Sequence, residues 1–222
     1  MDEPIADELT HDEVIADATV TPAQAMTRRL AESLRTLAAA IVDRDLSEQT
    51  AGELLGAVDS WHGRATGPHR VRYYETGDLE VARAAFVDFS PISGRSHPSA
   101  VPVAIEHVTG PEGKPGVRAR VRFGPSHEGP PLGVHGGVIA GLFDELLGHA
   151  QMVHPVRALT ANLTVRYRAL TPINEDLECY AQVVHTSGRR WTGRATCMAA
   201  DTLTAEAHGL FVGVDLVTAA EG

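Results

Sequence analysis

Cysteine, lysine and long apolar runs are all scarce in this 222-residue chain, and each scarcity excludes something. Two cysteines, Cys179 and Cys197, without an export signal, exclude the disulfide framework of a small secreted domain. No segment approaches the roughly 18 apolar residues of a membrane-spanning helix, so no membrane span is expected. The N-terminus, MDEPIADELTHDEVIADATV, lacks the basic-then-apolar order of a signal peptide. A cytoplasmic protein is expected. Basic charge is the minority sign, 19 residues against 29 acidic, for a net charge of −10. Lys114 is the one lysine, so that minority is almost wholly arginine. A nucleic-acid-binding domain needs a net basic surface or stripe, so no nucleic-acid partner is expected.

The acidity is concentrated at one end. Asp2, Glu3, Asp7, Glu8, Asp12, Glu13 and Asp17 lie within residues 1–20, with no Lys or Arg among them. A flexible acidic tail is expected over 1–20. Beyond it, the hydrophobic content suffices for a packed core. Thr21-Pro22-Ala23-Gln24 has the form of a capping box with proline in the first turn. Met26, Leu30, Leu34, Leu37 and Ile41 follow at spacings of three and four, which predicts an amphipathic helix of about five turns. A second helix is expected over 47–60, with Leu54, Leu55, Val58 and Trp61 on its apolar side. Glycines and prolines punctuate 62–100, which reads as mostly loop with a short helix near 79–85. Residues 21–100 therefore form a helical and loop extension.

From residue 101 to 217 the pattern turns to strands around one helix. Val101–Val108 is a candidate strand. Val117–Phe123 alternates apolar residues with Arg118, Arg120 and Arg122. After a Gly/Pro-rich loop at 124–133, His135-Gly136-Gly137 opens an apolar helix expected to be buried nearly all round. Strands are then expected over Leu159–Ala169, Leu177–Thr186, Arg190–Ala200 and Leu203–Val214. A three-residue turn at 187–189 would set Cys179 opposite Cys197 as two buried thiols. One buried helix and five or six strands make an α+β domain, with a curved antiparallel sheet wrapped around the helix.

The chemistry lies in EGPPLGVHGGVIAGLFDELLG (128–148). Two glycines at a helix start let a ligand approach the backbone. The first helical N–H groups have no intrahelical partners and sit at the positive end of the helix dipole. They suit a carbonyl oxygen that gains negative charge in acyl transfer. Asp144 lies mid-helix in the same apolar run, where a buried carboxylate needs a polar neighbour or a wet pocket. Glu145 shares that problem, and spacing does not decide which of the two faces a pocket. Asp144 is seven residues past Gly137, roughly 10 Å along the axis. That is too far for both to act on one carbonyl within one helix. Two antiparallel copies bring the glycine end of one helix to the Asp of the other, so cooperation between the two features favours a homodimer with composite sites. The histidines show no metal-ligand spacing, and no metal or cofactor is expected.

His135-Gly136-Gly137 with Asp144 nine residues after the His, followed by Thr160-Ala161-Asn162-Leu163, resembles the PaaI-type branch of the hot-dog acyl-CoA thioesterases. The later EAHGLFV (206–212) resembles that family's last strand. The resemblance implies a hot-dog fold and hydrolysis of an acyl-coenzyme A thioester to free acid and coenzyme A. It implies that Asp144 is the general base or the nucleophile and that the Gly136 amide polarises the thioester carbonyl. His135 would shape the loop or hydrogen-bond near the thioester. Thr160 would hold the lytic water or Asp144. It also implies that Gly and Asp come from different subunits of a homodimer or homotetramer, and coenzyme A enters only as part of the substrate. Arginines in the strands after the helix, Arg166 and Arg168 among them, would suit its phosphates. Two other readings stay open: a hot-dog acyl-thioester hydratase or dehydratase, and a non-catalytic acyl-CoA or lipid-binding protein.

Overall fold

A computed structural model describes residues 20–70, 87–101, 103–110, 113–152 and 158–214. The tail expected over 1–20 and the short helix expected near 79–85 fall almost wholly outside them. Two helices come first, α1 (Pro22–Val42) and α2 (Glu48–His62). Strands β1 (Val103–Thr109) and β2 (Pro115–Arg122) precede a single 3-10 turn at Pro125–His127 and the central helix α3 (Gly136–Gln151). Strands β3 (Ala158–Tyr167), β4 (Asp176–Ser187), β5 (Arg190–Ala199) and β6 (Thr202–Gly213) complete the order. The bounds match the sequence expectation to within two or three residues, because alternation and turn residues mark each strand.

All pairings are antiparallel, in one sheet of order β1-β2-β4-β5-β6-β3. This six-stranded sheet wrapped on one helix is the hot-dog arrangement that the motif resemblance implies. Its core lies between the inner face of the sheet and α3, where Leu142, Phe143, Leu146 and Leu147 meet Val117, Ala119, Leu177 and Ala195. The sheet stays close to the helix because its facing residues are small. Gly193 and Gly209 are paired across β5 and β6. A Cβ at Gly193 would lie 2.6 Å from the Leu147 side chain, and one at Gly209 3.0 Å from it. The two glycines thus make the socket for Leu147. Cys179 sits opposite Cys197 in the β4/β5 register and both are buried, as strand alternation predicts. The hydrogen bond with Cys197, and then burial, push the Cys179 thiol well above the ordinary range.

One expectation needs correction: α3 is not buried all round. Ile139, Leu142, Phe143, Leu146, Leu147, His149 and Ala150 are buried, but one side carries exposed Asp144. The apolar stripe of α1 is half-buried at Leu34 and Leu37. Both capping-box hydrogen bonds of Thr21 and Gln24 form as expected. Yet Met26 and Leu30 are each 60% exposed, and Ala31 is the buried residue of the helix. The helix also docks through charge: Arg28 Nε reaches Asp88 Oδ1 at 2.7 Å, and Arg35 donates to the His97 carbonyl at 2.8 Å. The apolar side chains of α2, Leu55, Val58 and Trp61, are also exposed.

Candidate active site

The loop before α3 is pinned on both sides. Gly133 bridges to Pro172, and the Val134 N–H donates to the Thr171 carbonyl at 2.8 Å. The His135 N–H donates to the His127 carbonyl at 2.8 Å. Gly129 passes so close that a Cβ there would lie 2.7 Å from the His135 Cα, which accounts for a glycine at that position. His135 is the N-cap of α3, and its Nδ1 accepts from the Gly137 N–H at 3.0 Å. This bond satisfies one of the orphan donors of the first turn. Gly136 is the first helical residue. Its carbonyl accepts from the Tyr167 hydroxyl at 2.7 Å, and a Cβ on it would meet that hydroxyl at 3.0 Å.

Two turns along the helix, Asp144 Oδ1 accepts from Thr160 Oγ1 at 2.7 Å. Thr160 is on β3, next to the register irregularity between Thr160 and Asn162. The chain therefore brings together Asp144 with Thr160, and separately His135 with Gly136 and Gly137. It does not bring Asp144 to Gly136 within one chain, as the spacing requires. Tyr167 escaped the sequence reading. Its position on the same strand face as Val165 was legible, but a contact with a backbone carbonyl 31 residues away has no local signature.

The sequence left Asp144 and Glu145 undivided, and the structure separates them. Asp144 is exposed on the β3 side. Glu145 turns the other way, toward the 88–101 loop, where Ser93 Oγ donates to its Oε1 and His149 Nε2 lies 3.7 Å from the same oxygen. Burial pushes the Glu145 carboxyl up, but the polar groups of His149, Ser90 and Ser93 beside it together outweigh that and hold the group below the ordinary glutamate value. The expectation of a buried mid-helix carboxylate thus applies to Glu145 and not to Asp144. Ser90 in turn accepts from the Ser93 N–H at 3.3 Å, and Asp88 accepts from Ser96 Oγ at 2.5 Å as well as from Arg28. A polar chain therefore runs from α1 through the loop to α3.

Among the arginines expected to suit phosphates, Arg168 donates to Glu206 Oε1 at 2.5 Å, with Arg194 3.9 Å from the other oxygen of Glu206. Arg189 is occupied with the Gly213 carbonyl. Leu132, Leu159, Tyr167 and Leu170 are exposed, with Leu170 against Gly133 and Tyr167 against Gly136. Among the described residues, no helix is long and apolar enough to cross a membrane.

Comparison with known proteins bears on the segment that holds this site. Residues 133–207 match the family model of the thioesterase superfamily. A solved thioesterase superfamily protein is 26% identical, with 84% of this chain and 94% of that chain covered, at a TM-score of 0.70. The PaaI protein of E. coli, from the phenylacetic acid degradation operon, is 16% identical over 50% of this chain and 80% of that one, at a TM-score of 0.45. A Streptococcus mutans protein whose structure holds acetyl CoA is 17% identical over 50% of this chain and 89% of that one, at a TM-score of 0.45.

Proposed function

Because residues 133–207 carry the thioesterase superfamily pattern on a hot-dog fold, we propose that the protein is an acyl-CoA thioesterase with Asp144 as its reactive carboxylate. The observation that carries this reading is the Thr160–Asp144 hydrogen bond of 2.7 Å. It holds an exposed carboxylate in one orientation on the β3 side of the helix. A carboxylate so held either takes a proton from water as that water attacks the thioester, or attacks the carbonyl carbon itself. In both cases the carbonyl oxygen gains negative charge, the C–S bond breaks, and coenzyme A leaves as thiolate; in the second case water then cleaves the acyl–Asp144 anhydride to release the acid and restore the carboxylate.

The developing oxyanion needs a donor, and the Gly136 N–H is the first of α3, at the positive end of the helix dipole. His135 acts by orienting that turn, since its Nδ1 is occupied with the Gly137 N–H. Tyr167 braces the same peptide from its carbonyl side. Gly136 and Asp144 lie about 12 Å apart along the axis of one helix. The donor therefore comes from a second copy with its helix antiparallel. Exposed Leu159 on β3 and exposed Leu132 and Leu170 in the loops flanking α3 and β3 supply apolar surface for that copy to cover.

The test is thiol release from a panel of acyl-CoAs, acetyl to palmitoyl with phenylacetyl and hydroxybenzoyl thioesters included. Asp144→Ala is expected to lose at least about a hundredfold in kcat with its melting temperature kept. Full activity in Asp144→Ala would sink the mechanism. Binding of acyl-CoA with no turnover across the panel would leave a binding protein. Hydration of an enoyl thioester without thiol release would identify a hydratase.

A further inference from the structure

The outer face of the sheet, turned away from α3, carries charge differently on its two halves. Strand alternation puts Arg118, Arg120 and Arg122 of β2 on this face. Each has an acidic residue across the strands: Glu106 stands opposite Arg118, Glu178 opposite Arg120 and Asp176 opposite Arg122. Arg122 is 3.3 Å from Asp176, and Arg118 is 3.5 Å from Glu178. The β1-β2-β4 half is therefore balanced, three charges against three.

The β5-β6-β3 half is centred on Glu206 of β6, which is 7% exposed. Arg168, the first residue past β3, donates to its Oε1 at 2.5 Å. Arg194 of β5 lies 3.9 Å from its Oε2, and Arg166 of β3 stands opposite it in the register. The hydrogen bond from Arg168, and then the charges of Arg168, Arg194 and Arg166, hold the Glu206 carboxyl below the ordinary glutamate value against the opposing effect of burial. One buried carboxylate thus gathers three guanidinium groups and neutralises one. Two positive charges are left over in a chain whose net charge is −10. The side chains of Arg168 and Arg194 are half exposed, so the surplus faces solvent.

These arginines lie beside the Gly136 end of α3. Tyr167 sits between Arg166 and Arg168 and points to the opposite face, where its hydroxyl bonds the Gly136 carbonyl. β3 ends at Tyr167. The chain then turns back to the loop before α3, with Leu170 against Gly133 and Pro172 bridged to it. A molecule whose carbonyl meets the Gly136 N–H can pass over this strand end, across exposed Tyr167 and Leu170, to the arginines. That route crosses neither the sheet nor the long edge of β3 that a second copy covers.

We propose that Arg166, Arg168 and Arg194 bind the nucleotide phosphates of coenzyme A, which selects a coenzyme A thioester over a thioester on the pantetheine arm of a carrier protein, where the nucleotide is lacking. The assignment rests on the thioesterase reading and gives it a carrier. Guanidinium forks match phosphate oxygens two at a time. Glu206 holds the forks in place without cancelling them, and Tyr167 and Leu170 lie along the pantetheine arm. The contacts are exposed, so binding weakens as salt rises.

Calorimetric titration of the full chain with coenzyme A, pantetheine and inorganic phosphate, at low and then moderate salt, tests this without turnover. Coenzyme A is expected to bind one per chain, with pantetheine and inorganic phosphate each about tenfold or more weaker. The double variant Arg166→Gln, Arg194→Gln leaves Arg168 on buried Glu206. It is expected to bind coenzyme A about tenfold or more weakly, with pantetheine binding and melting temperature unchanged. Steady-state hydrolysis is the second arm: in the variant the KM for an acyl-CoA is expected to rise by the same factor with kcat kept, and the KM for the matching acyl-pantetheine to stay the same. Equal affinity of the wild type for coenzyme A and pantetheine, or equal coenzyme A binding by the folded variant, overturns the proposal. If the double variant does not fold, Arg166→Lys and Arg194→Lys singly keep the charge and lose the fork, each expected to weaken coenzyme A binding about threefold. The two readings fail separately. Hydrolysis of acyl-CoA and acyl-pantetheine with one KM keeps the thioesterase and removes this site. Coenzyme A binding that depends on the arginines, with no thiol released from any thioester, keeps the phosphate contacts and removes the thioesterase.

Discussion

At the scale of single residues, the site depends on which atoms hold Asp144. Its Oδ1 is fixed by a hydrogen bond from Thr160. A hydrogen bond to a charged group contributes about 1.5–3 kcal/mol, enough to set the orientation of an exposed side chain. Thr160→Val keeps the β-branched shape that suits a strand and deletes the donor. Its expected effect is a fall in kcat of about tenfold or more with little change in KM, since the carboxylate loses its aim but the surface that binds substrate is intact. Thr160→Ser restores the hydroxyl and is expected to recover most of the rate. Steady-state kinetics on the best substrate of the panel measures both. Equal rates for the Val and Ser variants would reduce Thr160 to a strand residue. Glu145 is no substitute for Asp144 in this scheme, because its carboxylate is committed to Ser93 on the far side of the helix.

At the scale of elements, α3 has two working sides, one toward β3 and one toward the 88–101 loop. The loop side has a pH signature. The Glu145 carboxyl is held below its ordinary value of 4.5 in the folded chain. A depressed carboxyl stabilises the fold above the unfolded value, and that stability is lost as pH falls through the folded value. Melting temperature is therefore expected to drop steeply below about pH 4.5, and Glu145→Gln is expected to flatten that part of the profile while lowering stability at neutral pH. A parallel profile in the variant would show that Glu145 does not set the slope. This connection was not legible in the sequence. The strands and α3 were, because alternation, glycine turns and a long apolar run each leave a periodic trace. Even the Cys179–Cys197 register followed from counting across the turn at 187–189. Residues 88–101 have no period, and their order comes from serine and aspartate hydrogen bonds to distant partners. The α1 stripe shows a related limit. Period alone shows that Met26, Leu30, Leu34, Leu37 and Ile41 share a face but not what covers it, and the helix is anchored by Arg28 and Arg35.

At the scale of the whole molecule, the question is whether one chain holds a complete site. β3 is an edge strand, paired with β6 alone among the described residues, and Leu159 and Tyr167 on it are exposed. An unpaired edge beside an apolar surface is what a second copy covers. Complementation between two dead variants separates a shared site from a self-contained one. Asp144→Ala removes the carboxylate. Gly136→Pro removes the amide donor at the first helical position, where proline is tolerated, although its ring displaces the Tyr167 hydroxyl that lies near Gly136. Each variant alone is expected to be inactive as a homodimer. Unfolded together and refolded in equal amounts, they form mixed dimers in about half of cases, each with one intact composite site. If Gly136 and Asp144 act across the interface, about a quarter of the wild-type site number returns. If both act within one chain, no mixed dimer contains an intact site and nothing returns. Size-exclusion chromatography of the refolded mixture establishes that dimers formed, so absent activity then counts against the shared site rather than against refolding.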